Sequence, residues 1–128
     1  MPHDMPPWQT VYHYFRRWRL LGYWQLWNRR LRERLRVCLG RKAQASAVIM
    51  DSQSVKSAEG GEARGYDAHK RCLGRKRHIL VDTLGLLLAA LVTGADVQDR
   101  DAAKVLLTSF YRDFFQSCHL KRIWADAG

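Results

Sequence analysis

Two aspartates that each follow a short apolar run are the residues of this sequence best suited to chemistry. Asp51 follows Ala47–Met50 in "SAVIMDSQSVKS", and Asp126 follows Ile123–Ala125 in "RIWADAG". A buried, unpaired carboxylate costs on the order of several kcal/mol, so such a residue is paired, exposed or bound to a cation. Taken singly, an aspartate at a strand end more often only begins a turn. Brought together, however, the two carboxylates can hold divalent cations.

The elements that must position these aspartates are predicted from apolar runs separated by turn residues. The pattern predicts strands at 47–50, about 78–82, 86–93 and 123–125, with an amphipathic helix before the last strand. Strand, strand, strand, helix, strand is the first half of a ribonuclease H-like layout, with strand order 3-2-1-4 and one crossover helix. The predicted fold class is therefore α/β, and this layout makes the strand ends that carry Asp51 and Asp126 neighbours.

A helical arm precedes the predicted sheet. Helical periodicity on both sides of Gly22 predicts two helices, and the second has five arginines around an apolar stripe. We interpret the stripe as core, and it contains Trp24, Trp27, Leu31, Leu35 and Cys38. The arm fits a DNA-binding hairpin whose arginines contact phosphates, and it equally fits an arm that packs on its own domain or on a second subunit.

Charge divides the sequence into two parts. The net charge of the 128 residues is +10, and residues 1–46 have ten Lys and Arg against two acidic residues. An excess of this kind is typical of proteins that contact a polyanion, usually nucleic acid, although a soluble basic surface is the alternative. We predict a basic DNA-binding arm at 1–45 and a catalytic portion at 46–128.

Basic residues in two segments are the candidates for contact with DNA. One segment is the second helix of the arm, and the other is the glycine-containing connection between the first two predicted strands. A solvated hairpin is the alternative for the second segment. The candidates are Arg29, Arg30, Arg32, Arg34, Arg36, Arg64, Lys70, Arg71, Arg75, Lys76 and Arg77.

Cysteine usage and hydropathy indicate the compartment. Cys38, Cys72 and Cys118 are too widely spaced for a zinc site or a disulfide framework, so we expect reduced, buried thiols. The longest apolar stretch, 84–92, is far shorter than the ~20 residues of a membrane helix. We expect a cytoplasmic protein associated with the bacterial nucleoid and not with a membrane.

Four blocks carry a resemblance to a known family. "IMDSQSVKS", "RGYDAHKRCLGRKRHILVDTLGLLL", "TGADVQDRDAAKVL" and "IWADAG" resemble the corresponding blocks of bacterial insertion-sequence transposases of the DDE type, in the insertion-sequence four and five superfamily. The resemblance covers nearly the whole chain. It implies a ribonuclease H-like catalytic domain that cuts DNA and joins the freed end to a target by two-metal phosphoryl transfer.

The resemblance also implies site residues, cofactor and partners. Its first two catalytic aspartates fall on Asp51, which is expected to bridge two ions, and on Asp126, which is expected to bind one. Mg²⁺ or Mn²⁺ is the expected cofactor. The expected partners are transposon-end and target DNA, together with a second transposase subunit or a carboxy-terminal segment supplied by frameshifting.

One departure from the family pattern shapes the functional expectation. The family's catalytic glutamate has no matching residue in these 128 positions, so we expect the amino-terminal part of a transposase, either a decayed copy or a first frame. The alternative function is a non-catalytic DNA-binding remnant or a regulator of a full-length transposase. If these residues are the amino-terminal part of a transposase, we expect the 128 residues alone to bind DNA but not to cut it.

Overall fold

A computed structural model describes residues 4–57, 64–114 and 120–125. Two helices come first, α1 (Trp8–Leu20) and α2 (Tyr23–Cys38), joined at Gly22 with its left-handed φ of 70°. Four strands follow, β1 (Ala47–Lys56), β2 (Gly65–Asp67), β3 (Cys72–Asp82) and β4 (Leu87–Gly94). The last two elements are α3 (Asp99–Phe114) and β5 (Arg122–Ala125). Among the described residues, no helix has the length and apolar character needed to cross a membrane.

The strands form one mixed sheet. β3 is antiparallel to β1 along nine residue pairs, and β2 and β4 pair with its other edge. β5 is parallel to β1, and the pairs run from Ala47↔Arg122 to Met50↔Ala125. The four strands predicted from the sequence therefore lie in the order β4-β3-β1-β5, which is the predicted order. The sequence pattern missed β2, a strand of only three residues.

The core lies on one face of this sheet, which we call the covered face. Val48 and Leu80 of the sheet pack with Leu106 and Phe110 of α3, and all four are buried. Asp99 and Asp101 lie in the first turn of α3, where negative charge favours the helix dipole. The crossover helix α3 between β4 and β5 allows β5 to run parallel to β1. On the opposite face, which we call the open face, the alternate side chains of β1 are exposed.

Two strands are longer than the sequence pattern predicts. β1 continues six residues past Met50, and β3 begins six residues before His78. The expectation that Asp51 ends its strand is therefore wrong, because Asp51 is the fifth of ten residues in β1. Among the described residues, β5 pairs with β1 at Ala47–Met50, where the apolar signal lies, and β3 pairs with β1 as far as Lys56.

The helical arm packs differently from the prediction. None of the residues of α1 is buried, and Leu31 in α2 is 67% exposed. Trp24 and Trp27 are each more than a third exposed, and their rings meet Trp18 edge to face with centroids 5.7 and 5.3 Å away. The apolar stripe of α2 is therefore a half-exposed aromatic cluster against α1, and the prediction that it forms core is wrong. Cys38, at the end of α2, is exposed as well, whereas Cys72 is buried as expected.

Candidate metal and nucleic-acid site

Asp51 lies on the open face of the sheet because side chains alternate along β1. Val48 is buried against α3, so Ile49, Asp51 and Gln53 point to the other face and are exposed. In the described part of the chain, the Asp51 carboxylate forms no ion pair and accepts one hydrogen bond, from the Ser52 backbone N–H at 2.7 Å. A solvent-reachable carboxylate with this much unused acceptor capacity is the oxygen ligand that Mg²⁺ prefers.

The neighbours of Asp51 on the open face include arginines of β3. Asp51 pairs with Ile79 in the register, and the next positions on the same face pair Gln53 with Arg77 and Val55 with Arg75. The Arg77 guanidinium donates a hydrogen bond to the Gln53 side-chain oxygen across the two strands. Successive side chains on the same face of a strand are about 7 Å apart. Arg75 and Arg77 therefore form a row of basic side chains that leads toward Asp51.

Asp126 lies outside the described residues, so the structure gives no position for the second predicted ligand. What it does show is the approach to that residue. The parallel pairing of β1 with β5 includes Met50↔Ala125, and these two residues immediately precede the two aspartates in sequence. Among the described residues, no group of three or more His, Cys, Asp and Glu is arranged to hold a metal.

The covered face holds a second set of charges, and these are paired. The Lys76 ammonium lies 3.2 Å from Asp99 Oδ1 and 3.7 Å from Asp67 Oδ2, and it donates to the Val97 carbonyl at 3.0 Å. A hydrogen bond from Ser54, followed by the backbone N–H of Lys70, lowers the pKa of Asp67 to about 2. Lys76 is 7% exposed. The prediction that Lys76 contacts DNA is corrected accordingly, because its charge is buried between two carboxylates.

His78 also belongs to the covered face. Its ring lies 3.9 Å from Asp99 and shares a hydrogen bond of 3.0 Å with the Thr93 hydroxyl. Burial lowers the pKa of His78, and Lys76 adds to this effect while Asp99 opposes it. A lowered pKa favours the neutral ring, and the side chain is packed on the covered face.

Two arginines of α2 require the same correction as Lys76. Arg36 is 6% exposed, and its guanidinium forms an ion pair with the fully buried Asp82 and donates to the Lys42 carbonyl at 2.9 Å. Arg32 is also buried, and it donates to the Leu87 carbonyl at 3.0 Å and to the Asn28 side chain at 3.1 Å. Burial lowers the pKa of Arg32. These guanidinium groups hold the arm on the sheet, so the predicted phosphate contact is replaced by packing.

The remaining predicted DNA-binding residues reach solvent in two places. In α2, Arg30 and Arg34 are exposed and Arg29 is half-buried. Around the β2–β3 turn and along β3, the residues that reach solvent are Arg64, Lys70, Arg71, Arg75 and Arg77. Arg71 has a left-handed φ of 47° in this turn. Eight of the eleven predicted residues thus retain access to a ligand.

Sequence reasoning missed the acidic partners of these buried cations. Asp82 follows an apolar strand and precedes "TLG", which is a turn signal, and its Oδ1 accepts the backbone N–H groups of Leu84 and Leu86 at 2.9 Å. Asp67 likewise accepts the N–H groups of His69 and Lys70 at 3.1 Å. Both aspartates begin turns, and the sequence around each of them indicates a turn. Their partners, 46 and 9 residues away in sequence, could not be identified from it.

The fold and the candidate site together define a class of protein. It is an α/β protein with a mixed sheet, a crossover helix on one face, and an acidic residue beside arginines on the other. A family model described as the transposase DDE domain matches residues 42–128. This chain belongs to the family of transposases with a DDE domain, whose members transfer polynucleotide strands in DNA transposition and generally use divalent metals. The comparisons with curated proteins and with solved structures found no match.

Proposed function

We propose that the open face of this sheet is the DNA-processing face of an insertion-sequence transposase, in which Asp51 and Asp126 are the first two metal-binding carboxylates of a ribonuclease H-like domain. The observation that carries the proposal is the position of Asp51. It is exposed on the open face, one residue after Met50, which pairs with Ala125 of the parallel strand β5. A DDE active site needs a carboxylate from each of two such neighbouring strands.

Electrostatics on the same face support contact with DNA. A lone carboxylate repels phosphate, but Arg77 and Arg75 follow Asp51 along the adjacent strand. Lys70 and Arg71 extend the positive charge to the β2–β3 turn, and Arg30 and Arg34 add a further basic surface on α2. Contacts of this kind position DNA through its backbone without reading its sequence.

The proposed chemistry divides between the metal and the protein. Bound Mg²⁺ or Mn²⁺ supplies activation of the attacking oxygen and stabilisation of the leaving oxygen. The protein holds the ligand carboxylate of Asp51 on a rigid strand, and it aligns the DNA backbone through the arginines of β3. A strand is a better support for such a group than a loop, because small misplacements of a catalytic group lower rates strongly.

The metal site is tested by adding Mn²⁺ to the isotope-labelled chain and following its amide signals. In the wild type, we expect paramagnetic broadening to be centred on residues 50–52, and Asp51→Asn should abolish it. Asp101→Asn is the matched control, because Asp101 is exposed on α3 at the covered face. Broadening that is unchanged in Asp51→Asn would show that Asp51 holds no metal.

The alternative function predicts a different combination of results. A non-catalytic DNA-binding protein or regulator binds duplex DNA with the same salt dependence but shows no Mn²⁺ effect at residues 50–52. Mobilisation of a marker flanked by the element's ends, by the protein expressed from its own gene, then distinguishes an enzyme from a regulator. Asp51→Asn should abolish mobilisation only in the first case.

A further inference from the structure

The part of β1 that follows Met50 lacks the alternating apolar residues that usually specify register. After Met50, the residues of β1 on the covered-face side are Ser52, Ser54 and the exposed Lys56 at the strand end, and Val55 on the open face is the next apolar residue. Register in a sheet is specified mainly by alternating apolar residues, and a strand that is polar on both faces is prone to slip. A slip of one residue would turn Asp51 toward α3 and Ser52 toward solvent.

Two carboxylates on two different elements hold these serines. The Ser54 hydroxyl donates to Asp67 Oδ2, on β2, at 2.6 Å. Ser52 lies on the same face of β1 and helps to lower the pKa of Asp99, the first residue of α3. Partial burial raises the pKa of Asp99, but the hydrogen bonds from Lys76 and Ser52 outweigh that effect, so its pKa lies below the ordinary value. Both carboxylates are therefore ionised acceptors, and hydrogen bonds to ionised groups are the stronger kind.

Lys76 joins the two halves of this arrangement. It lies opposite Ser54 in the β1–β3 register, and its ammonium approaches both Asp67 and Asp99. A buried ammonium is tolerated only where opposite charges and hydrogen bonds satisfy it. The position of Lys76 thus depends on both carboxylates, and the carboxylates in turn hold both serines.

We propose that Ser52, Ser54, Asp67, Lys76 and Asp99, which we call the serine clamp, are positioning residues that fix the register of β1 and keep Asp51 on the open face. This proposal rests on the proposed function, because it explains how Asp51 is kept on the face where metal and DNA are proposed to bind. The clamp residues act through the backbone of residues 51–56, on the other side of the strand from the proposed chemistry.

The clamp is tested by amide hydrogen exchange and cross-strand nuclear Overhauser effects on the isotope-labelled full chain. In Ser52→Ala/Ser54→Ala, protected amides of residues 51–56 should exchange at least about tenfold faster, while those of the β3–β4 ladder stay within about threefold. Ser52→Thr/Ser54→Thr keeps both hydroxyls and should retain wild-type protection. Thr108→Ala, which removes a hydroxyl bonded to the Lys104 carbonyl on exposed α3, is the matched control. Ser54→Ala alone serves if the double variant does not fold.

Two results would overturn the proposal. One is unchanged protection in the alanine variants together with intact cross-strand contacts for 52↔78 and 54↔76. The other is equal acceleration across all strands, since that would show only a loss of global stability. The Mn²⁺ experiment on the wild type is independent of both results. If broadening at residues 50–52 is absent while the clamp variants behave as expected, the metal site is wrong and the clamp stands.

Discussion

The two faces of the sheet use the same types of charged residue for opposite purposes. On the covered face, Lys76 is enclosed by Asp67 and Asp99, and each charge has a partner within the protein. On the open face, Asp51 has no ion-pair partner among the described residues, although it lies on the same strand as the serines that face α3. Neighbouring residues of β1 therefore differ in role because the strand alternation sends them to different surroundings.

This difference shows which charged side chains stabilise the fold and which remain available to bind a ligand. A buried charge without a partner is strongly destabilising, so evolution leaves such a group only where the protein itself satisfies it. A charge on an exposed face costs little and remains free to bind phosphate or metal. The contrast predicts that substitutions on the covered face change stability, whereas those on the open face change binding and activity.

The largest expected effect is on activity, from the open face. Asp51→Asn keeps the size of the side chain but removes a metal ligand, so we expect marker mobilisation to fall by about ten-thousandfold, equivalent to about 5.5 kcal/mol in activation free energy. The urea-unfolding midpoint should stay close to that of the wild type. A large loss of stability in this variant would instead place Asp51 with the structural charges and break the contrast between the two faces.

The next largest effect concerns stability, at the buried pair between arm and sheet. Arg36→Met leaves the Asp82 carboxylate buried without its counter-ion, so the free energy of unfolding should fall by about 3–5 kcal/mol. Adding Asp82→Asn should restore most of it, because the amide oxygen can still accept the turn N–H groups. Arg34→Met, two residues away and exposed, should change stability by less than about 0.5 kcal/mol. Equal effects of Arg34→Met and Arg36→Met in urea unfolding would contradict this assignment.

Much of the fold could be predicted from the sequence because its signal is apolar and local. Val48, Leu80 and the stripe of α3 with Leu106 and Phe110 alternate with the periods of strand and helix, and a right-handed crossover leaves few topologies. The order β4-β3-β1-β5 follows from these facts. β2 and the polar ends of β1 and β3 escaped prediction because their residues carry no such apolar alternation. Backbone pairing forms them: β2 and the end of β1 pair with the start of β3.

The candidate site was predictable in part for a related reason. Asp51 was identified because it interrupts an apolar run, and its exposed position agrees with the proposed role. The arginines of α2 were predicted to contact DNA because basic residues far outnumber acidic ones in residues 1–46. That count fails for Arg36, because the fold brings in Asp82 from a strand 46 residues away. Long-range partners of buried charges are invisible to any local pattern.

Basic residues of the arm should give a smaller effect, on DNA affinity. Arg29→Gln/Arg30→Gln/Arg34→Gln removes three exposed or half-exposed charges of α2, and each lost phosphate contact lowers affinity by about threefold and the salt slope by about 1. We expect affinity for duplex DNA to fall about thirtyfold in a fluorescence-anisotropy titration at constant salt. An unchanged salt slope would show that the arm serves packing alone.

Arginines beside Asp51 should give about a tenfold effect. Arg75→Gln/Arg77→Gln removes two charges from the open face and should weaken binding to duplex DNA of any sequence. The control is Arg100→Gln, which removes a charge of the same sign from the exposed first turn of α3 at the covered face. Arg100→Gln should leave the affinity unchanged within about twofold. If it weakens binding as much as loss of Arg75 or Arg77, DNA responds to net charge and not to the open face.

The smallest effect is the pH dependence of the serine clamp. The pKa of Asp67 is lowered to about 2, chiefly by the Ser54 hydrogen bond, so its stabilisation is present above the unfolded value near pH 4 and is lost as pH falls toward 2. Urea unfolding of the wild type and of Asp67→Asn should therefore differ at pH 5 and converge toward pH 2. Ser54→Ala removes the largest cause and should give an intermediate pH dependence. A difference between wild type and Asp67→Asn that is constant from pH 5 to 2 would mean that the Asp67 carboxylate is not held in the ionised form by the clamp.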